Sequence, residues 1–334
     1  MTAYRFCRSD DIALLGDALN RCWVPYFPDE PLMTPTAFKR SIRDLQVWSS
    51  SCMVAFSGSD PIGILIGAKR ASGTLIHKIA VHPDHRRQGH GHHLLTSLGS
   101  KLAILGPPRM VAEVPDTLSA ACELLSASGY AQEALLTDYV FHPTAHATRR
   151  GAPGQREEND AREVEVRSDV HDGRFVIPVT VDDLAANGLL GEAHPQRCWT
   201  RSVETLTAMK NDISGLAVSS DERIEAYVLY YMQGGVGLEG NSEAGPQPSA
   251  PTQGSHDALG ASLGGAVEIL SLRTFIEHDE AHLRQLFARL FALGLGTVRF
   301  PKVHPEEISK EFLEALGFRA AAAHRLYAAS AQPG

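Results

Sequence analysis

Apolar residues along this chain follow two rhythms. From Leu75 to Val81 they run with little interruption, which predicts a buried strand. Shortly after, Leu94, Leu95, Leu98 and Leu102 recur at helical spacing and predict one apolar helix face. Upstream, Met53–Phe56 and Ile64–Gly67 flank the turn Gly58-Ser59-Asp60-Pro61 and predict a strand hairpin. A helix is predicted over Ile12–Trp23, with Ser9 or Asp10 as its N-cap. Met110–Val114 reads as a strand and Leu118–Ala127 as a helix.

The second half repeats the first at an offset of 188 residues. Leu95, Leu98, Leu102 and Leu105 fall on Leu283, Leu286, Leu290 and Leu293, and Gly129-Tyr130 falls on Gly317-Phe318. Gly106 and Gly294 close the two helices. Ala226–Tyr230 and Val267–Leu270 read as paired strands of the second copy. Two polar stretches interrupt the pattern. Residues 143–164 read as a linker between a domain at 1–142 and another at 165–330. Residues 233–265, rich in Gly, Ser, Pro and Ala, bury too little apolar surface to offset chain entropy and are expected to be a disordered insertion.

Composition narrows the function class. At 334 residues there is room for two ordinary domains. A net charge of −8 offers no general attraction for nucleic acid or an anionic membrane, and no apolar run approaches a membrane span. Five scattered cysteines without a Cys-x-x-Cys pair suit a reducing compartment, so a cytoplasmic protein is expected.

The candidate chemistry lies at Arg86-Arg87-Gln88-Gly89-His90-Gly91-His92, where the strand hands over to the helix. A helix N-terminus presents unpaired N–H groups and partial positive charge, and glycine lets a phosphate approach the backbone. A Walker A loop would need Gly-Lys-Ser/Thr, which is absent. A dinucleotide fingerprint would need a third glycine where Leu94 stands. Histidines cluster here too (His82, His85, His90, His92, His93), but without converging cysteines or acids no metal is expected.

Arg86-x-x-Gly89-x-Gly91 after Ile79-Ala80-Val81-His82-Pro83 resembles the acetyl-CoA loop of the GNAT N-acetyltransferase superfamily. The resemblance implies an α/β fold of two tandem GNAT-like mixed-sheet domains with helices on both faces. It implies acetyl-CoA as co-substrate and a small-molecule or peptide amine as acceptor. Main chain of Ile79, Ala80 and Val81 would meet the pantetheine arm. Arg86, Arg87, Gln88, Gly89, His90, Gly91 and His92 would surround the pyrophosphate.

Acyl transfer to an amine also needs a proton acceptor. His77 is the candidate base, placed by strict alternation on the strand face of Leu75, Ile79 and Val81. Glu113 is a second candidate, as base or amine contact. The family's usual acid, a tyrosine four residues before the closing glycine, is replaced by Leu125. In the second copy Thr274, Glu277 and Asp279 stand in place of Arg86, Gly89 and Gly91, so that half is expected not to hold a diphosphate. A CoA-binding sensor or scaffold is the alternative to an enzyme.

Overall fold

A computed structural model describes residues 2–143, 175–190, 198–233, 266–276, 280–293 and 296–331. Most of the linker and insertion, together with Glu277, Asp279 and Gly294, lie outside the described residues. The first half runs β1 (Thr2–Phe6), α1 (Ile12–Trp23), α2 (Pro35–Leu45), β2 (Met53–Ser57), β3 (Asp60–Lys69), β4 (Thr74–Val81), α3 (His90–Leu105), β5 (Arg109–Pro115), α4 (Ser119–Ala127) and β6 (Ala131–Phe141). The second runs β7 (Phe175–Val179), α5 (Val181–Ala186), α6 (Val203–Ala208), β8 (Ile213–Ser219), β9 (Ile224–Gln233), β10 (Ala266–Thr274), α7 (Glu280–Ala292), β11 (Val298–Val303), α8 (Lys310–Ala315) and β12 (Arg319–Ser330).

Helices cover both sheet faces in each half, as expected. One face of the first half packs Leu15, Leu19 and Phe38 from α1 and α2 against Val54, Ile64 and Leu75. The other packs Leu94, Leu98 and Leu102 of α3 against Met53, Leu65 and Ile76. Two local readings differ from expectation. The N-cap of α1 is Asp11, not Ser9 or Asp10, and its carboxylate does not cap. It accepts from the Arg8 N–H at 2.7 Å and from Arg5 at 2.8 and 2.9 Å. Helix α2 is not among the expected elements, although Phe38, Ile42 and Leu45 recur on one face at helical spacing and pack against the core. Its signal is Thr34-Pro35: the threonine hydroxyl accepts the Ala37 N–H at 3.1 Å, and proline suits the first turn.

The strands join in one twelve-stranded sheet, ordered β1-β2-β3-β4-β5-β12-β6-β11-β10-β9-β8-β7. Each half therefore gives its last strand to the other: β12 pairs with β5, and β6 with β11. The repeat explains this residue by residue. Met110 pairs with Ala329, and Val298 pairs with Phe141, each partner 188 residues from its equivalent. At the centre Leu136 pairs with His324, which stands 188 residues after it, so an approximate two-fold axis passes between them. The exchange carries side chains across. Tyr327 of β12 is buried with α3 and α4, while Tyr139 of β6 is buried with α7 and α8.

Neither half can complete its sheet without the other, so unfolding should be one transition. Calorimetry should give a single peak with matching calorimetric and van't Hoff enthalpies. Leu136→Ala, at a fully buried central position, should cost about 2–5 kcal/mol and lower that same peak. Two separated peaks would contradict the exchanged sheet.

Candidate active site

Strands β4 and β5 are parallel neighbours, but their ladder holds only Thr74–Met110 and Leu75–Val111. Beyond it the strands diverge and open a cleft of about 660 Å³. A bulge marks the divergence: Ile66 pairs with Lys78 and Gly67 with Ile76, leaving His77 as the extra residue. The bulge shifts the alternation by one. Leu75 and Ala80 pack towards α1, whereas Ile76 and Ile79 pack towards α3. Strict alternation therefore misplaced His77: Leu75 and Ile79 are not on one face, and the imidazole sits at the switch, lining the cleft.

Burial, with Lys78 and then Lys302 adding to it, pushes the His77 pKa down to about 4. The ring is neutral at pH 7 and offers a lone pair. Folding holds this histidine neutral, so its contribution to stability is present above pH 6.5 and fades as pH falls towards 4.

Of the residues expected at the cofactor, Ile79, Ala80, Val81, Arg86, Arg87, Gly89, His90, Gly91 and His92 all line the cleft. Gln88 is exposed beside them. Gly89 has φ +81°, the left-handed conformation that favours glycine, and turns the loop into α3. No side chain caps α3, so its first amides face the cleft mouth without an intrahelical acceptor. Gly91 also has a packing role. A Cβ there would meet Leu124 Cδ2 at 2.9 Å, so the missing side chain lets α3 approach α4. Arg86 lies 5.6 Å over the Tyr26 ring.

Two histidines of the loop share Tyr4, and a third has a partner of its own. His90 Nδ1 meets the Tyr4 hydroxyl at 2.6 Å, His93 packs tilted against the Tyr4 ring at 3.8 Å, and His92 meets Ser128 at 3.0 Å. Burial, with His85 and His93 nearby, lowers the His90 pKa. Among the described residues no group of three ligating side chains converges.

The opposite wall comes from the segment after α1. Trp23 stacks on Phe27 at 4.5 Å, and the Lys78 ammonium lies 4.0 Å over Trp23 and 3.0 Å from Glu30. The Tyr26 hydroxyl donates to the Val81 carbonyl at 2.6 Å. Glu113 lines the cleft from β5, yet both its oxygens have partners from the second half. Oε1 accepts the Trp199 N–H at 2.6 Å, and Oε2 accepts from Lys302 at 2.8 Å. Burial works against the Lys302 ammonium, but Glu113 beside it outweighs this and raises its pKa. These second-half contacts carried no local signal in the sequence. They exist because β12 pairs with β5, which brings the second half, with Lys302 of β11 and the turn at Trp199, within reach of Glu113.

The tyrosine question resolves similarly. Leu125 is buried between α4 and the sheet, and the Tyr130 hydroxyl, also buried, points to Met110 sulphur at 3.5 Å. Burial raises the Tyr130 pKa, so neither residue places an acid in the cleft.

Comparison with known proteins accords with this geometry. Residues 48–131, from just before β2 to the start of β6, match the family model described as Acetyltransferase (GNAT) domain. No curated protein matched. Among solved structures, a GCN5-related N-acetyltransferase from Sphaerobacter thermophilus superposes with a TM-score of 0.58 at 12% identity, covering 100% of this chain and 96% of that one. A tandem GNAT protein from the clavulanic acid biosynthesis pathway gives 0.57 at 14% identity, covering 100% of both. A GCN5-related N-acetyltransferase from Anabaena variabilis gives 0.56 at 10%, covering 99% of this chain and 73% of that one. The first half carries a GNAT acetyltransferase domain, and the whole chain has the tandem GNAT fold.

Glu113→Gln tests the reading of that carboxylate as an anchor. It removes the partner of a partly exposed lysine but still accepts from Trp199, so stability in urea should fall by about 2 kcal/mol. Unchanged stability together with lost activity would instead assign Glu113 to the chemistry.

Proposed function

We propose that the protein transfers an acetyl group from acetyl-CoA to a primary amine of a small molecule or exposed amino group. The observation that carries this is the two-pair β4–β5 ladder, which opens a cleft onto the uncapped start of α3. The residues fit the co-substrate. The first amides of α3 with Arg86 and Arg87 suit a diphosphate, and the edge of β4 from Ile79 to Val81 suits an amide-bearing arm. Bound acetyl-CoA supplies an activated thioester carbonyl. Holding it beside the amine supplies much of the rate.

His77 moves the proton. An attacking nitrogen becomes acidic as it bonds to the carbonyl carbon, and a neutral imidazole then takes its proton as the C–S bond breaks. Once protonated, a histidine with a pKa of about 4 is a strong enough acid to protonate a thiolate of ordinary pKa near 8.5. One residue so returns the proton that the family's tyrosine would give, which accounts for Leu125. The buried Leu125 also favours the rival reading, a CoA-binding sensor without turnover.

Thiol release from acetyl-CoA with a panel of amines separates the two. Release with kcat falling about 100-fold in His77→Ala, at unchanged KM for acetyl-CoA, supports transfer with His77 as base. CoA binding with no release from any amine supports the sensor. In the wild type, protonation of His77 should produce an acid limb of kcat near pH 4 and none near 6.5. Arg86→Glu, at an exposed loop position, should raise KM for acetyl-CoA about tenfold. An unchanged KM would remove Arg86 from the phosphate site.

A further inference from the structure

The two halves differ in bulk where their central parallel strands part. Their short ladders correspond pair for pair: Thr74–Met110 and Leu75–Val111 in the first, Val267–Val298 and Glu268–Arg299 in the second. One residue beyond the ladder, β5 carries Ala112 and β11 carries Phe300, equivalents at the 188-residue offset. On the neighbouring strands the same step leads to Ile76 and Ile269. From the helix that follows, Leu124 of α4 corresponds to Phe312 of α8, and Leu125 to Leu313. In the second half Phe300 is fully buried in one apolar cluster with Ile269, Phe312 and Leu313. In the first half Ile76, Ala112, Leu124 and Leu125 instead line the cleft.

The scaffold thus admits aromatic side chains at two places where the first half has smaller ones. Those places fall at a defined point along the groove. The start of α3 follows Val81, and the β4 edge from Val81 back through Ile79 leads from there to His77. A ligand with its diphosphate at α3 and its arm along Ile79–Val81 brings its thioester to His77. Whatever the thioester carbonyl carries then meets Ile76, Ala112 and Leu125, at about 3.3 Å per residue of strand. These three side chains belong to one apolar cluster with α3. Glu113, the carboxylate next to Ala112, is held by Trp199 and Lys302 of the second half. Nothing polar therefore faces the ligand from this end of β5.

We propose that Ile76, Ala112, Leu124 and Leu125 form an acyl pocket, which admits propionyl and butyryl groups and holds them more tightly than acetyl. This deepens the transfer reading above and rests on it. The reaction balances as it does for acetyl. The amine nitrogen bonds to the acyl carbon, the C–S bond breaks, and the proton leaving the nitrogen passes through His77 to the thiolate. Each added methylene leaves water for apolar walls. Leu125 suits such a chain, since a tyrosine there would bring a hydroxyl that needs a partner of its own.

Titration calorimetry on the full chain with acetyl-CoA, propionyl-CoA and butyryl-CoA tests this without turnover. Kd should fall about threefold with each added methylene. Ala112→Phe introduces the residue that the second half carries at this place, and it should flatten the series. Equal or weaker binding with length, or an unchanged series in Ala112→Phe, would overturn the proposal. So would thiol release from acetyl-CoA with none from butyryl-CoA. The wild-type series decides even if the variant fails to fold. Tighter binding with length, but no thiol release from any of the three with any amine, would contradict the transfer reading alone.

Discussion

Two adjacent parallel strands that stop bonding after two residue pairs set the rest of this structure in place. A parallel strand in the middle of a sheet normally has both edges satisfied and both faces covered. Here the β5-facing edge of β4 is released from Ile76 onward, while its other edge stays bonded to β3. Main-chain groups so exposed need new partners, and an extended molecule with alternating amides meets that need. The bulge at His77 marks where the strand turns, and the imidazole lines the opening beside Lys78. The helix that follows starts without a cap, so unsatisfied donors stand at the other end of the same groove.

The exchanged last strands explain why a half without an evident ligand loop of its own belongs to the molecule. Through β12 it supplies the neighbour that β5 lacks, and through Lys302 of β11 and the main chain of Trp199 it supplies the partners of Glu113. Arg70 ties the halves from the other side. Its guanidinium stacks 4.0 Å over Trp199 and donates to the Trp199 carbonyl and to Ser202 and Thr205 hydroxyls. A buried arginine with its donors met is stabilising only as a set, so these contacts hold the halves in one arrangement. The second half thus reaches the cleft as scaffold and, through Lys302, as a source of charge.

What the sequence disclosed follows from how local each signal is. The loop from Arg86 to His92, the strand before it and the helix after it occupy consecutive residues, so their types and order were readable. The repeat was readable because equivalent leucines keep one spacing without a gap. Helix α2 was legible but was passed over: its start is marked by Thr34-Pro35, and its stripe is only three residues long, Phe38, Ile42 and Leu45 among charged neighbours. The side on which His77 falls was hidden because one extra residue in a strand leaves no mark in composition and reverses everything after it. At Gly91 the sequence showed nothing of Leu124, which stands on another helix and leaves no room for a side chain there. The contacts that Trp199 and Lys302 make with Glu113 were beyond reach. Their nearness depends on strand exchange, and register between distant strands is not written in either strand alone.

Hydrogen exchange with and without CoA addresses the central claim at the atoms concerned. Binding should slow exchange at the amides of His90 to His92 and along Ile79 to Val81, and leave the start of α7 unchanged. Protection at the start of α7, or none along β4 and α3, would contradict a diphosphate held by main-chain donors of the first half.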